Sequence, residues 1–122
     1  MITLAVLVAG ALGAVTRFVV DGWFKQRWPT ITPWGTFGIN VTGSALLGVL
    51  AGSVIFHGAP HDLQAILGTG FCGGYTTFST ASFETMRLTQ QGSRIRAVLY
   101  AVGSLIGAVA ACAAGMTIAW AM

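Results

Sequence analysis

The residues of this sequence that could support chemistry are neutral hydrogen-bonding groups placed within long apolar stretches. Four glycines between positions 68 and 74 lead directly into a hydroxyl-rich run from Tyr75 to Thr80. Glycine and threonine both weaken helical hydrogen bonding, and unwound backbone at membrane depth is tolerated only where it is buried in protein or lines a cavity. Because broken helices with free carbonyls form ion sites in membrane proteins, the segment from Gly73 to Thr80 is the first functional candidate. The alternative is a kinked helix that only packs against a neighbour.

Three further polar side chains lie within apolar stretches. Asn40 lies inside a charge-free segment, where an amide without a partner is costly, so it must face protein or water. Tyr100 and Ser104 are four residues apart and therefore share one face of a helix. Together the three supply an amide, a phenol and a hydroxyl, all of them neutral donors. They either line a polar path or bridge helices, and the residues alone leave both interpretations open.

Arg17 and Glu84 are ionisable groups at or near membrane depth, which are functional hypotheses by default and could pair with one another. We expect a structural or vestibule role for both, because a fixed charge inside a pore would bind an ion too tightly to release it. Cys72 and Cys112 lie in apolar segments and are interpreted as buried thiols rather than metal ligands. No catalytic set of Ser, His and Asp and no phosphate loop is present, so an enzyme is not expected.

The elements that hold these residues are predicted from composition. Of the 122 residues, 55% are hydrophobic and 7% are charged, whereas about a quarter of a soluble domain is charged. Charge-free stretches over 35–56, 63–83 and 97–122 can each cross a bilayer, and 2–24 forms a fourth span rather than a signal peptide, since it lacks a basic start. The sequence predicts one all-α membrane domain over 1–122. Its four transmembrane helices lie at about 2–24, 35–56, 63–88 and 96–120, the third broken mid-membrane.

Small residues recur every four positions in the second helix (40, 44, 48, 52) and in the fourth helix (103, 107, 111, 115). Such stripes allow close helix packing in lipid. Four thin helices leave little interior, so a polar path forms more readily between two copies, and a dimer is expected.

These motifs together resemble the Fluc (CrcB) family of fluoride channels. The run GFCGGYTTFST at 70–80 carries the resemblance, with GAxxR at 13–17, WGTxxxNxxGS at 34–44, SxET at 82–85, and a Tyr followed four residues later by a Ser in the last helix. The resemblance covers nearly the whole chain.

The resemblance implies passive export of fluoride from the cytoplasm across the cell inner membrane. It also implies an antiparallel, dual-topology dimer with two fluoride pores and a structural Na⁺ at its centre, held by backbone carbonyls. On this sequence the sodium carbonyls are those of Gly73 and Thr76, and the pore residues are Asn40, Thr77, Phe78, Tyr100 and Ser104. One position departs from the family pattern, because Ala81 stands where a second pore phenylalanine is usual.

Two other functions are alternatives. A small proton-coupled multidrug-type transporter requires an embedded carboxylate in helix 1, where the only acid, Asp21, lies near the helix end. A non-conducting membrane assembly subunit would show no ion flux.

Charge raises a question of orientation. Five of the six Lys and Arg residues lie where the first and third connections are predicted, namely Lys25, Arg27, Arg87, Arg94 and Arg96. Positive charge marks the cytoplasmic side, so this pattern predicts both termini outside. An antiparallel homodimer is the first expectation, and a heterodimer with an oppositely oriented homologue is the alternative.

Overall fold

The structure is a computed structural model that describes residues 1–27 and 34–122. The described residues form helices α1 (Ile2–Arg27), α2 (Trp34–His57), α3 (61–75), α4 (Ser79–Gln90) and α5 (Arg94–Ala121). Three of these, α1, α2 and α5, are long and apolar enough to cross a membrane. Large apolar side chains such as Phe18 and Trp120 are exposed along them, as expected for helices in contact with lipid. The chain is an integral membrane protein.

The helices extend slightly beyond the predicted spans. α1 continues to Arg27 rather than ending at 24, and α5 begins at Arg94 rather than 96. The prediction stopped at charged residues, but a helix can continue into the membrane interface. Lys25 and Asp21 stabilise the end of α1 by an i,i+4 ion pair of 2.9 Å. The predicted connection over 25–33 falls partly outside the described residues.

The third segment is not one regular helix. Within α3, the stretch Gln64–Cys72 is wound as a π-helix, and the Gly73 N–H donates to the Gly68 carbonyl five residues earlier. The chain leaves helical geometry at Thr76, whose φ and ψ of −79° and 159° are extended, and α4 starts at Ser79. Each piece is shorter than a bilayer-spanning helix needs to be.

Glycines set the distance between α2 and α5, which run parallel. A Cβ at Gly48 would overlap the Cys112 carbonyl, and a Cβ at Gly115 would lie 2.9 Å from the Val49 nitrogen. The two backbones therefore approach as closely as small-residue stripes allow. Gly103, which the sequence placed on the same stripe, has nothing within 4 Å and takes no part in this packing.

α1 packs against α3 in the same way. A Cβ at Gly13 would lie 2.9 Å from the Tyr75 nitrogen, and a Cβ at Gly74 would overlap the Gly10 carbonyl. This close, parallel contact carries Arg17, one turn beyond Gly13, to the end of α3.

Candidate functional site at the helix break

Asn40 holds the interruption between α3 and α4 from the neighbouring helix α2. Its Nδ2 donates to the Thr77 carbonyl at 2.9 Å, and its Oδ1 accepts the Thr77 N–H at 2.8 Å. Both backbone groups of Thr77 are thus satisfied by one side chain instead of by a helix. The amide still has one further N–H, because an Asn side chain carries two donors.

Several carbonyls at the break lose their usual helical donors, those of Gly73 and Thr76 among them. In a regular helix the Thr77 N–H would bond to the Gly73 carbonyl and the Thr80 N–H to the Thr76 carbonyl. The first N–H bonds to Asn40 instead, and the second bonds to the Thr77 hydroxyl at 3.1 Å. Gly73 and Thr76 are the residues to which the family resemblance assigns main-chain ligands, and the Thr76 carbonyl accepts from Arg17 in place of its helical donor.

Arg17 and Glu84 do not pair with each other. The Arg17 Nη1 donates to the Thr76 carbonyl at 3.2 Å. Its positive charge also interacts favourably with the partial negative charge at the C-terminal end of the α3 helix dipole. Glu84, on α4, accepts from the hydroxyls of Thr36 at 2.9 Å and Tyr100 at 3.2 Å. Each charge is therefore bonded to neutral groups. Among the described residues, the only ion pair is that of Asp21 and Lys25.

A groove with a volume of about 850 Å³ opens beside the break. All seven residues that the sequence analysis assigned to the pore and the sodium site line it, although they come from different helices: Asn40, Gly73, Thr76, Thr77, Phe78, Tyr100 and Ser104. The Phe78 side chain is the most open of these, since the residue is 87% exposed. Ala81 also lines the groove, so the position that lacks the second phenylalanine faces the same space.

Ser104 contributes an unsatisfied hydroxyl to this groove. Its Oγ is buried and, within the described part of the chain, is the only buried side-chain oxygen or nitrogen without a hydrogen-bond partner. Buried polar groups normally have partners, so a small rotation that turns this hydroxyl toward Tyr100 or toward the groove would satisfy it.

Sequence reasoning missed one residue of this network, Thr36. It is 2% exposed and donates to Glu84. Its position four residues before Asn40 puts both on one face of α2, and that spacing was the signal available in the sequence.

The ligands available to a cation at the break are main-chain carbonyl oxygens. No group of three or more His, Cys, Asp or Glu side chains suited to a metal occurs among the residues that the structure describes. The freed carbonyls are hard oxygen ligands of the kind that hard cations prefer.

Comparison with known proteins decides the family. A model of the family described as CrcB-like protein, Camphor Resistance (CrcB), matches residues 4–116. The chain belongs to the CrcB family. The range matched by the CrcB model includes every site residue named above.

Individual CrcB relatives are similar over nearly their whole length. The fluoride-specific ion channel FluC 1 of Leifsonia xyli subsp. xyli is 50% identical over 116 residues, which cover 95% of this chain and 85% of the relative. FluC 1 of Streptomyces avermitilis is 43% identical, covering 95% of this chain and 94% of the relative. FluC 2 of Cutibacterium acnes is 44% identical, covering 97% of each. These relatives are named as ion channels, in agreement with the prediction that this chain is not an enzyme.

Proposed function

We propose that this chain is a fluoride-selective channel that exports fluoride passively from the cytoplasm through the groove beside the helix break. The observation that carries the proposal is the meeting of five polar or aromatic residues from different helices in one groove: Asn40, Thr77, Phe78, Tyr100 and Ser104. The function agrees with the names of the CrcB relatives.

The chemistry of the groove suits a small, strongly hydrated anion. Neutral donors can replace part of the water around fluoride without binding it as tightly as a fixed positive charge would. The exposed ring of Phe78 adds an electropositive edge, which attracts an anion weakly. Weak attraction allows release, and closure of the groove into a narrow path would exclude the larger chloride ion.

In this proposal α3 and α4 together make the third of four membrane spans, broken near the middle of the membrane. The non-helical backbone at Thr76 and Thr77 then borders the groove rather than lipid. Non-helical backbone is tolerated at that depth only where it is buried in protein or lines a cavity. A single chain leaves the groove open along one side. A second chain inserted antiparallel in the cell inner membrane would close it and would give two equivalent pathways.

An antiparallel dimer would also provide a site for a structural sodium ion at the break. The carbonyls of Gly73 and Thr76 from each of two chains would offer four oxygen ligands at the dimer centre. The Arg17 guanidinium already donates to the Thr76 carbonyl, which has a second lone pair available. Its positive charge would weaken binding of a nearby cation, so Arg17 would tune the affinity for sodium.

The test is flux from liposomes containing the purified chain, loaded with potassium fluoride or potassium chloride and opened to potassium by an ionophore. Reconstitution from detergent inserts chains in both directions, so antiparallel pairs can assemble from one chain. We expect rapid fluoride release and little chloride release. Equal release of the two halides contradicts the proposal.

The same liposomes separate the alternatives. A proton-coupled transporter would respond to a pH gradient imposed without a membrane potential, and an assembly subunit would conduct nothing. The structure gives the transporter no support, since Asp21 already pairs with Lys25 at 2.9 Å.

A further inference from the structure

Tyr75, the last residue of α3, makes a side-chain hydrogen bond to the neighbouring helix α2. Its phenol oxygen lies 3.0 Å from the Thr42 Oγ1. The Thr42 hydroxyl has one hydrogen and donates it to the main-chain carbonyls of Gly38 and Ile39, at 2.7 and 3.1 Å. Tyr75 is therefore the donor to Thr42, and Thr42 links the phenol to the backbone of α2.

The bond between Tyr75 and Thr42 lies apart from the proposed fluoride path. Neither residue is among those that line the groove beside the break. The Tyr75 ring also stacks on the Phe71 ring one turn earlier, with 5.9 Å between the centroids, so the ring is packed independently of its hydroxyl. Any effect of this hydroxyl on an ion in the groove must therefore act through the main chain that the bond holds.

The helix α2 contacts the break at three positions. They meet three consecutive residues of the chain in order: Thr42 with Tyr75, Gly43 with Thr76, and Asn40 with Thr77. The middle contact is close, because a Cβ at Gly43 would overlap the Thr76 Cγ2. At about 100° per residue, Gly43 lies between the other two around α2, and the three positions span about 160° of its circumference. The break therefore wraps across one side of α2, with a hydrogen bond at each edge.

We infer that Tyr75 is a positioning residue, whose hydroxyl holds the end of α3 on α2 and thereby places the main chain of Thr76 and Thr77 beside the groove. On the opposite side, Gly13 of α1 approaches the Tyr75 nitrogen closely, so the turn is held from both sides. Asn40 fixes Thr77 but makes no bond to the turn before it. The consequence for fluoride flux rests on the proposed function, whereas the placement of the main chain does not.

The two hydroxyls can be removed without removing the packing around them. Tyr75→Phe deletes the donor and keeps the ring that stacks on Phe71. Thr42→Val deletes the acceptor, and Thr42→Ser is the conservative variant that keeps it. Thr117→Val is the matched control, because the Thr117 hydroxyl bonds to the Ala113 carbonyl of its own helix, at 2.8 Å, far from the break.

Backbone amide exchange in detergent, measured by mass spectrometry on peptides that cover 73–80, reports the main chain without any ion flux. The Thr76 N–H bonds to the Cys72 carbonyl at 2.9 Å and the Thr77 N–H to the Asn40 Oδ1 at 2.8 Å, so both amides should be protected in the unmodified protein. One hydrogen bond between membrane helices changes an equilibrium roughly three- to twentyfold. We expect Tyr75→Phe to raise the exchange rate of these amides by a factor in that range.

The other variants show whether the two hydroxyls act as a pair. Thr42→Val should raise exchange as much as Tyr75→Phe, and the double variant no more than either single one, because both changes remove the same bond. Thr42→Ser should exchange like the unmodified protein, and exchange within α5 should not change in any of them. Unchanged exchange in Tyr75→Phe, additive effects of the two single changes, or an increase spread over all helices overturns the inference.

Fluoride release from liposomes tests the consequence for conduction. Flux should fall by up to the same factor in Tyr75→Phe and Thr42→Val, and stay unchanged in Thr42→Ser and Thr117→Val. Faster exchange of the break with unchanged flux overturns the positioning role in conduction. If the unmodified chain releases no fluoride, the proposed function fails, while amide exchange still decides whether Tyr75 holds the break. If it conducts and Tyr75→Phe exchanges and conducts like it, only the inference about Tyr75 fails.

Discussion

Replacing Asn40 with alanine removes both hydrogen bonds that hold Thr77 out of the helix. The freed Thr77 N–H can then bond to the Gly73 carbonyl, as it would in a regular helix. The groove loses its shape at the break and also loses an amide donor. We therefore expect fluoride flux to fall while the protein still inserts.

The size of the effect follows from the two bonds. Hydrogen bonds between helices in a membrane protein average about 0.6 kcal/mol, and those in soluble proteins about 1 kcal/mol. Two bonds stabilise the broken form by roughly 1.2 to 2 kcal/mol, and their loss reduces its population relative to the continuous helix by roughly 7- to 30-fold. This factor is the upper bound on the fall in flux that the population change alone produces, and the lost amide donor lowers flux further.

The assay compares initial fluoride release from liposomes with equal amounts of each variant. Asn40→Asp should conduct less than Asn40→Ala, because its carboxylate would face the Thr77 carbonyl and repel an anion. Ser53→Ala is the matched control in the same helix, since the Ser53 hydroxyl bonds only to the Val49 carbonyl of its own turn, at 2.8 Å. It should leave flux unchanged.

Retention of more than half of the wild-type flux by Asn40→Ala would refute this reasoning. The same conclusion would follow if Ser53→Ala reduced flux as much as Asn40→Ala, since the loss would then reflect α2 in general.

Three further predictions test other parts of the structure. Gly13→Ala would bring a Cβ to 2.9 Å from the Tyr75 nitrogen and should destabilise the protein by about 1 to 3 kcal/mol, whereas Gly22→Ala, with nothing within 4 Å, should not. Equal melting temperatures in detergent would contradict this. Phe78→Ile removes the ring edge from the groove and should lower fluoride flux roughly tenfold, while Phe83→Ile, outside the groove, should not change it. Similar flux from both variants would exclude a role for the ring. Thr76→Ser keeps both the main-chain carbonyl and a hydroxyl for the Cys72 carbonyl, so flux should stay within about twofold. Replacing sodium by a large organic cation on both sides of the liposome membrane should lower fluoride flux through the unmodified protein. Flux that does not depend on sodium would argue against the structural ion.

The membrane helices were predictable because hydropathy depends on composition alone. α1, α2 and α5 follow from long apolar stretches, and their ends differ from the prediction by one to three residues, the larger differences being where the helix continues past a charged residue. The glycine and threonine run also indicated where the chain leaves helical geometry, because those residues weaken a helix wherever they occur.

The hydrogen bonds of the site were not predictable in the same way. Asn40 and Thr77 are 37 residues apart, and Arg17 and Thr76 are 59 apart, so their pairing depends on how α1, α2 and α3 pack. The sequence suggested Asn40 as a donor to the ion and Arg17 as a partner for Glu84. In the structure Arg17 bonds to Thr76 instead of Glu84, while Asn40 bonds to Thr77 and its role as a donor to the ion stays a prediction.

The bonds at the break also set an order of assembly during synthesis. Neither Asn40 nor Arg17 belongs to the segment that they hold open, so that segment alone in lipid would satisfy its own carbonyls as a continuous helix. Both residues precede it in the chain and are therefore already in the membrane when Thr76 and Thr77 arrive. α1 and α2 thus act as a template for the irregular backbone of the third segment. α5, which brings Tyr100 and Ser104, follows the break in the chain, so the polar wall of the groove is completed only after α5 has joined the other helices.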